Sequence, residues 1–331
     1  MKTRERRVLT IVLLALLCGI GVIVSVSVGT VPFTFDEVLK ALRSQEDSTA
    51  RLLVYHLRLP RALCGGMVGM CLALSGCILQ CVMRNTLASP STIGVTGGAG
   101  FAGYLMLVAL PGLGHLLPVG TIIGAFASTM LIYLLAYRKG VSPLRMILSG
   151  LAVSALFGAL NDVIKTFFAD ALGNASGFLV GGLNGAGWTE LYRILPFAVC
   201  GVLLCLLLPA GMNILLLGDE TAASLGLRTQ NFRFLLIVVS SLLSGAAISV
   251  AGLVAFVGLI VPHIARLLVG ADHRVLLPAS GLLGFGLVVL CDVLGRVILP
   301  PGEIPVSILL SVIGAPFFLL LLRTRDSGGE A

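Results

Sequence analysis

Gly252 to Arg266, GLVAFVGLIVPHIAR, is an uncharged run that meets Pro262 and His263 and stops at Arg266. A helix needs about 20 apolar residues to cross a bilayer. This stretch falls short of that unless it borrows from the preceding LLIVVSSLLSGAAISVA. Taken together, Leu235 to Val269 is too long for one span and barely enough for two. The economical reading is a tight reversal at Ala251 and Gly252, followed by a short helix that carries Pro262. Broken backbone at membrane depth persists only where protein or a water-filled cavity covers it, so the stretch is expected to face protein rather than lipid.

Working outward, the 331-residue chain is 57% hydrophobic and 11% charged, with a mean hydropathy of +1.07, where a soluble domain carries about 25% charged residues. The fold class that follows is all-α: a single polytopic transmembrane domain over residues 1–331, with short tails at 1–7 and 323–331. The net charge of +7 does not point to nucleic acid, because the basic residues are scattered between apolar runs instead of gathered into a patch. They report topology first. The eight cysteines all fall inside apolar runs and read as small packing residues. Cys77 and Cys81 share a helix face, but no His or carboxylate joins them, so no metal site is expected.

Lys2, Arg4, Arg6 and Arg7 precede an apolar run from Val8 to Val28. Its length exceeds a signal peptide's apolar core and no small-residue cleavage site follows, so it reads as a first transmembrane helix with its N-terminus in the cytoplasm. Thr30 to Leu59 is then an external polar connection, within which PFTFDEVLKAL is amphipathic enough to lie on the membrane surface. Apolar runs follow at 62–82, 93–111, 116–137, 146–168, 194–217, 234–250, 252–269, 275–299 and 304–322. With the first they suggest about ten transmembrane helices, and an even number returns the C-terminus to the cytoplasm. On this topology 14 of the 22 basic residues lie inside and 8 outside. Five of the eight (Lys40, Arg43, Arg51, Arg58 and Arg61) sit in one external connection, against the positive-inside rule, and need a separate reason. Gly65, Gly66, Gly69 and Gly76 supply the small residues that let helix backbones approach closely. No phosphate-loop, zincin or nucleophile-elbow motif occurs.

RLPR at 58–61, LALSGCILQ at 72–80, RNTLASPSTIGV at 84–95, LLLGDETAASLGL at 215–227, GLVAFVGLIVPHIARLLVGADHR at 252–274 and EIPVSILLSVIGAPFFLLLL at 303–322 together carry a resemblance. The chain is similar to the FecCD type of permease, the membrane subunit of bacterial ABC importers for iron-siderophores, haem and cobalamin. Gly252, Pro262, His263 and Arg266 form the most specific part of the match. The chain departs at Thr86, where the family usually has Pro.

The resemblance implies a multi-pass protein of the bacterial cytoplasmic membrane, surrounded by lipid and paired as a homodimer or with a close paralogue. It also implies two cytoplasmic ATP-binding subunits and an extracytoplasmic substrate-binding protein. The chain itself is expected to be a transport subunit, not an enzyme, with no catalytic residue and no cofactor, ATP being used by the partner.

The spacing of Gly218, Asp219, Glu220, Ala222, Ala223, Leu225 and Gly226 suits a short capped helix, with Asp219 as N-cap and Gly226 as stop. By resemblance this is the helix that couples to the ATPase. By the same route Arg58, Arg61 and Arg296 are expected to dock the binding protein, with two competing readings: snorkelling to headgroups and, for Arg296, neutralisation by Asp292 four residues earlier. Asn85, Leu87 and Ser142 correspond to the cytoplasmic gate. Asp162 and Lys165, three apart, read either as a paired helix end or as the lining of a wet vestibule. His263, without a second ligand nearby, reads as structural. An ion-coupled secondary transporter is the alternative. It would need intramembrane ionisable groups to bind the ion, and the few present are readily paired.

Overall fold

The computed structural model describes residues 3–29, 31–43, 48–137, 143–168, 172–300 and 302–326, and every regular element among them is helical. In order these are α1 (Thr3–Ser27), α2 (Phe35–Arg43), α3 (Thr49–Arg51), a π-helical turn (Leu52–Arg58), α4 (Leu59–Met83), α5 (Val95–Val108), a 3₁₀ turn (Pro111–Leu116), α6 (Leu117–Ala136), α7 (Pro143–Phe167), α8 (Leu172–Val180), α9 (Trp188–Leu207), α10 (Pro209–Leu215), α11 (Asp219–Ser224), α12 (Thr229–Ala251), α13 (Val257–Val269), α14 (His273–Ile298) and α15 (Val306–Asp326). Seven stretches among the described residues are long and apolar enough to cross a membrane, and three shorter apolar helices, Val95–Val108, Val257–Val269 and Val306–Leu320, accompany them.

α4 is the axis of the bundle. Of its most apolar window 83% is buried, against 17% for α1 and α7, and α14, α12, α13 and α9 pack around it. Its glycines explain how. A Cβ on Gly69 would collide with the carbonyl of Gly284 on α14, and one on Gly76 with the carbonyl of Gly258 on α13. Apolar side chains gain little by leaving lipid for a protein interior, so close backbone approach and buried hydrogen bonds hold the helices instead. The bonds are present: Ser75 and Ser240 hydroxyls lie 2.7 Å apart between α4 and α12, and the Thr121 hydroxyl on α6 donates to the Gly245 carbonyl at 2.8 Å.

The reversal expected at Ala251 and Gly252 is present. Gly252 ends α12 with φ +65, and a Cβ there would collide with the Phe178 carbonyl, so only glycine fits. The broken backbone is covered by protein. Leu253 N–H donates to Phe178 O (3.0 Å) and Gly182 N–H to Ala251 O (2.9 Å), while the Ser307 hydroxyl donates to Leu253 O (3.1 Å). A cavity of about 380 Å³ opens beside it, lined in part by Asn184, Ser249 and Pro305.

Two expectations need correction. RLPR is not a connection: the helix entering the second span starts at Thr49 and runs to Met83, with Arg58 and Arg61 inside it. Pro60 has no N–H and its ring crowds the carbonyl four residues back. The π-helical turn just before it, in which Leu59 N–H reaches Val54 O, widens the helix there and accommodates the ring. The run 194–217 is not one span either. It breaks between α9 and α10 at Pro209, again because proline cannot continue the hydrogen-bond ladder. The surface helix in PFTFDEVLKAL is α2. Glu37 accepts from the Thr34 N–H at 2.8 Å while Thr34 Oγ1 accepts from the Glu37 N–H, a reciprocal cap that also holds the Glu37 carboxyl below its usual range.

Candidate functional site

At one end of the bundle α11 stands out as a knuckle between α10 and α12. Gly218 is its N-cap and Asp219 its first helical residue, so the expected capping role of Asp219 is corrected. The Asp219 carboxylate instead reaches sideways. It accepts two bonds from the Arg233 guanidinium on α12, at 2.7 and 3.0 Å, and a contact from Arg84 at the end of α4. The stop at Gly226 is as expected: φ is +85, and Gly226 and Leu227 N–H groups return to Ala223 O (2.9 Å) and Ala222 O (3.0 Å), closing the helix end. Ala222 is buried, whereas Glu220, Ala223 and Leu225 face outward.

Beside this knuckle α4 ends in a turn. Arg84 takes a left-handed conformation, φ 47, and the Asn85 side-chain oxygen accepts the Leu87 N–H at 3.0 Å. Asn85 and Leu87 line a cavity of about 320 Å³ together with Met83, Met146, Ile147 and Phe318, so the structure brings these two expected gate residues together. Ser142 lies outside the described residues.

The segment around Pro262 gains a physical account. Pro262 sits inside α13 and offers no N–H to the Gly258 carbonyl four residues earlier. Gln80 on α4 fills the gap: its Nε2 donates to Gly258 O at 3.4 Å, and its Oε1 accepts from Arg266 Nη2 at 3.0 Å. One amide thus serves the proline's orphaned carbonyl and the arginine that ends the apolar run. His263 stands edge-on to Phe317, ring centroids 5.8 Å apart. Among the described residues no three His, Cys, Asp or Glu side chains gather as a metal site would require.

Arg58, Arg61 and Arg296, expected on the external side, lie at the opposite end of the bundle, and each has a use within the chain. The last carbonyls of a helix have no partner inside it and carry partial negative charge. Those at the end of α1 and just beyond are taken by two arginines from other helices. Arg58 donates to Val26 O (3.0 Å), Ser27 O (3.3 Å) and Val31 O (2.6 Å). Arg296 donates to Ser25 O (3.1 Å), the Ser25 hydroxyl (2.8 Å) and Val28 O (3.4 Å). Both are 7% exposed, which gives them a use other than presentation to a docking partner. Arg61 differs. It holds Asp292 at 2.9 Å and reaches outward to Glu303 at 2.9 Å and to Asn184 at 3.2 Å. Asp292 does neighbour Arg296, at 3.2 Å, but Arg61 is its better-aligned partner. Asp162 and Lys165 are paired at 2.9 Å and remain exposed.

Sequence reasoning missed Gln80, Arg233 and the Asn213–Asp272 pair. Asp272 caps α14 by accepting the Arg274 N–H and is held by the Asn213 amide at 2.7 Å. That side-chain bond first, and the Arg274 N–H second, keep its carboxyl below the usual range. An Asp just before a helix was a readable signal for the cap; nothing local announces the others.

A family model of the FecCD transport family matches residues 15–324. The chain is 37% identical to the Fe(3+)-citrate import system permease protein YfmD of Bacillus subtilis, over 95% of this chain and 93% of that protein. It is 40% identical to the cobalamin import system permease protein BtuC of Halobacterium salinarum, over 84% of this chain and 75% of that one. Among solved structures it superposes with a TM-score of 0.82, at 32% identity, on an inward-facing conformation of a metal-chelate type ABC transporter, covering 95% of this chain and 98% of the other.

Proposed function

The chain belongs to the FecCD transport family, and on that premise we propose that its cargo is a metal chelate of the iron-siderophore, haem or cobalamin class, carried inward across the bacterial cytoplasmic membrane. It is a permease subunit of an ABC importer and not an enzyme, ATP hydrolysis residing in separate subunits. In this reading the chain crosses the membrane about ten times as one domain, with both termini in the cytoplasm. It works as a homodimer or beside a close paralogue, with two ATP-binding subunits at the α11 end and a substrate-binding protein at the Arg61 end. It holds no cofactor of its own.

The observation that carries the reading is the form of α11. It is anchored by Arg233, it carries the outward-facing Ala223, and it is flanked by Leu217, 60% exposed just before its N-cap, and Leu225, 58% exposed at its C-cap. That is a short, shallow, partly apolar knob suited to a cleft in a soluble partner. Asn85 and Leu87 narrow the path on the same side, a role the family resemblance also gives to Ser142. Of Arg58, Arg61 and Arg296, docking of the binding protein falls first to Arg61, whose carboxylate partner Glu303 is itself at the surface. The ferric-chelate and cobalamin parts of that class rest on what the relatives' names say they import; haem enters from the family resemblance alone.

Reconstitution in proteoliposomes with the ATP-binding subunits and the binding protein tests this. Labelled chelate should accumulate only with ATP on the α11 side and both partners present. Gradient-driven uptake by this chain alone would establish the ion-coupled alternative instead. Titration of the binding protein against a ferric siderophore, haem and cobalamin identifies the cargo.

A further inference from the structure

We propose that Asp219, Arg84 and Arg233 form the link through which displacement of α11 reaches the turn at Asn85 and Leu87. The inference rests on the functional reading above, in which α11 meets the ATP-binding subunit and that turn narrows the path.

One carboxylate serves two helices. The Arg233 guanidinium grips both Asp219 oxygens, at 2.7 and 3.0 Å, and its side chain is 2% exposed, so this half is an anchor fixed in α12. The other half is Arg84, whose guanidinium meets the same Asp219 oxygen. Arg84 is also the last residue of the α4 turn. Its N–H donates to Cys81 O at 3.2 Å, and the next N–H, of Asn85, to Gln80 O at 3.1 Å. Asn85 then holds the Leu87 N–H, and both residues line the 320 Å³ cavity. The contacts run unbroken from α11 to the cavity wall.

The two halves differ in mobility. Arg84 and Asp219 side chains are 36% and 38% exposed, so water can replace that contact when α11 is moved, whereas the buried Arg233 contact has no such substitute. Arg84 is held at a φ that few residues other than glycine adopt. Such a residue persists where its surroundings over-determine it, and loss of the Asp219 contact removes one of those constraints. Displacement of α11 is therefore felt at Asn85 and Leu87 before it is felt in α12.

Two measurements test the link. In the permease alone, amide hydrogen exchange should accelerate about fivefold or more at residues 85–88 in Asp219→Asn, the low end of coupling between sites. Acceleration confined to 219–227 would overturn the proposal, since a carboxylate that merely anchors α11 leaves the α4 turn untouched. In the assembled importer, Arg84→Gly keeps the left-handed turn, which glycine adopts freely, and removes the side chain that carries the guanidinium. Chelate carried per ATP hydrolysed should fall about fivefold or more, with assembly intact, and Arg84→Lys should recover part of it. An unchanged ratio in Arg84→Gly, or loss of the ATP-binding subunits from the complex, overturns the link. A wild-type importer without ATP-dependent uptake would defeat the functional reading instead, and the exchange measurement would still judge the link.

Discussion

Gln80 shows how a single side chain makes a proline tolerable inside a buried helix. Pro262 removes the N–H that Gly258 O would accept, and an unpaired buried carbonyl costs about 1–3 kcal/mol. The Gln80 amide supplies the donor and uses its oxygen for Arg266. Gln80→Leu should therefore lower stability by about 1–3 kcal/mol, read as a fall in melting temperature in detergent. Pro262→Ala restores an N–H at position 262. Introduced alone it should change little, and in the Gln80→Leu background it should return part of the loss, giving an interaction energy of about 0.5–3 kcal/mol. Strictly additive melting temperatures would show that Gln80 acts only through Arg266.

At the scale of elements, α11 is a helix of six residues, too short to hold itself together, and its shape is maintained by Arg233 beneath it and by the turn at Gly226. Ala223 faces outward, so a large charge there disturbs no contact within the chain. Ala223→Arg should abolish ATP-driven uptake and transport-linked hydrolysis while leaving the melting temperature of the isolated permease unchanged. Uptake at the wild-type rate would remove α11 from the coupling surface. The sequence made this helix legible because its stop, Gly226, is a local signal, as is the length of the run that forces a reversal at Gly252. Partners far apart in the chain were not legible. Arg84 and Asp219 are 135 residues apart, and Arg58 and Arg296 find α1 carbonyls 32 and 271 residues away. Arginines that the expected topology put on the disfavoured side announced that a reason was needed, but only the packing of α1 against α4 and α14 could say that, for Arg58 and Arg296, it was the capping of a helix end. The π-helical turn was equally illegible: the external connection was ended at Leu59, just before Pro60, and nothing in the sequence announced that the preceding turn widens to receive the proline ring.

For the whole molecule the question is which bare helix faces lipid and which faces another subunit. α1 and α7 are equally uncovered, yet their exposed faces differ. α1 presents Val8, Leu13, Leu16 and Ile20, as a lipid-facing helix should. α7 is also apolar outside, with Leu148, Leu151 and Leu156 exposed, but it adds a charge: Asp162, 73% exposed beside Lys165, stands one turn on from Gly158, which like Gly19 on α1 has no atom outside its own helix within 4 Å of where a Cβ would sit. A charge so exposed on a membrane helix is costly against hydrocarbon and belongs against water or protein. On the homodimer reading proposed above, the bare face of α7 is the side that a second copy would enclose as a path. Gly158→Trp tests this without disturbing the fold, because its surroundings within one chain are empty. Chelate uptake should fall at least about tenfold, as expected when a path is sterically filled at a cost above about 1.4 kcal/mol, with the melting temperature of the permease preserved. Leu13→Trp on α1 should transport normally. If both variants transport alike, α7 faces lipid and the path lies elsewhere in the bundle.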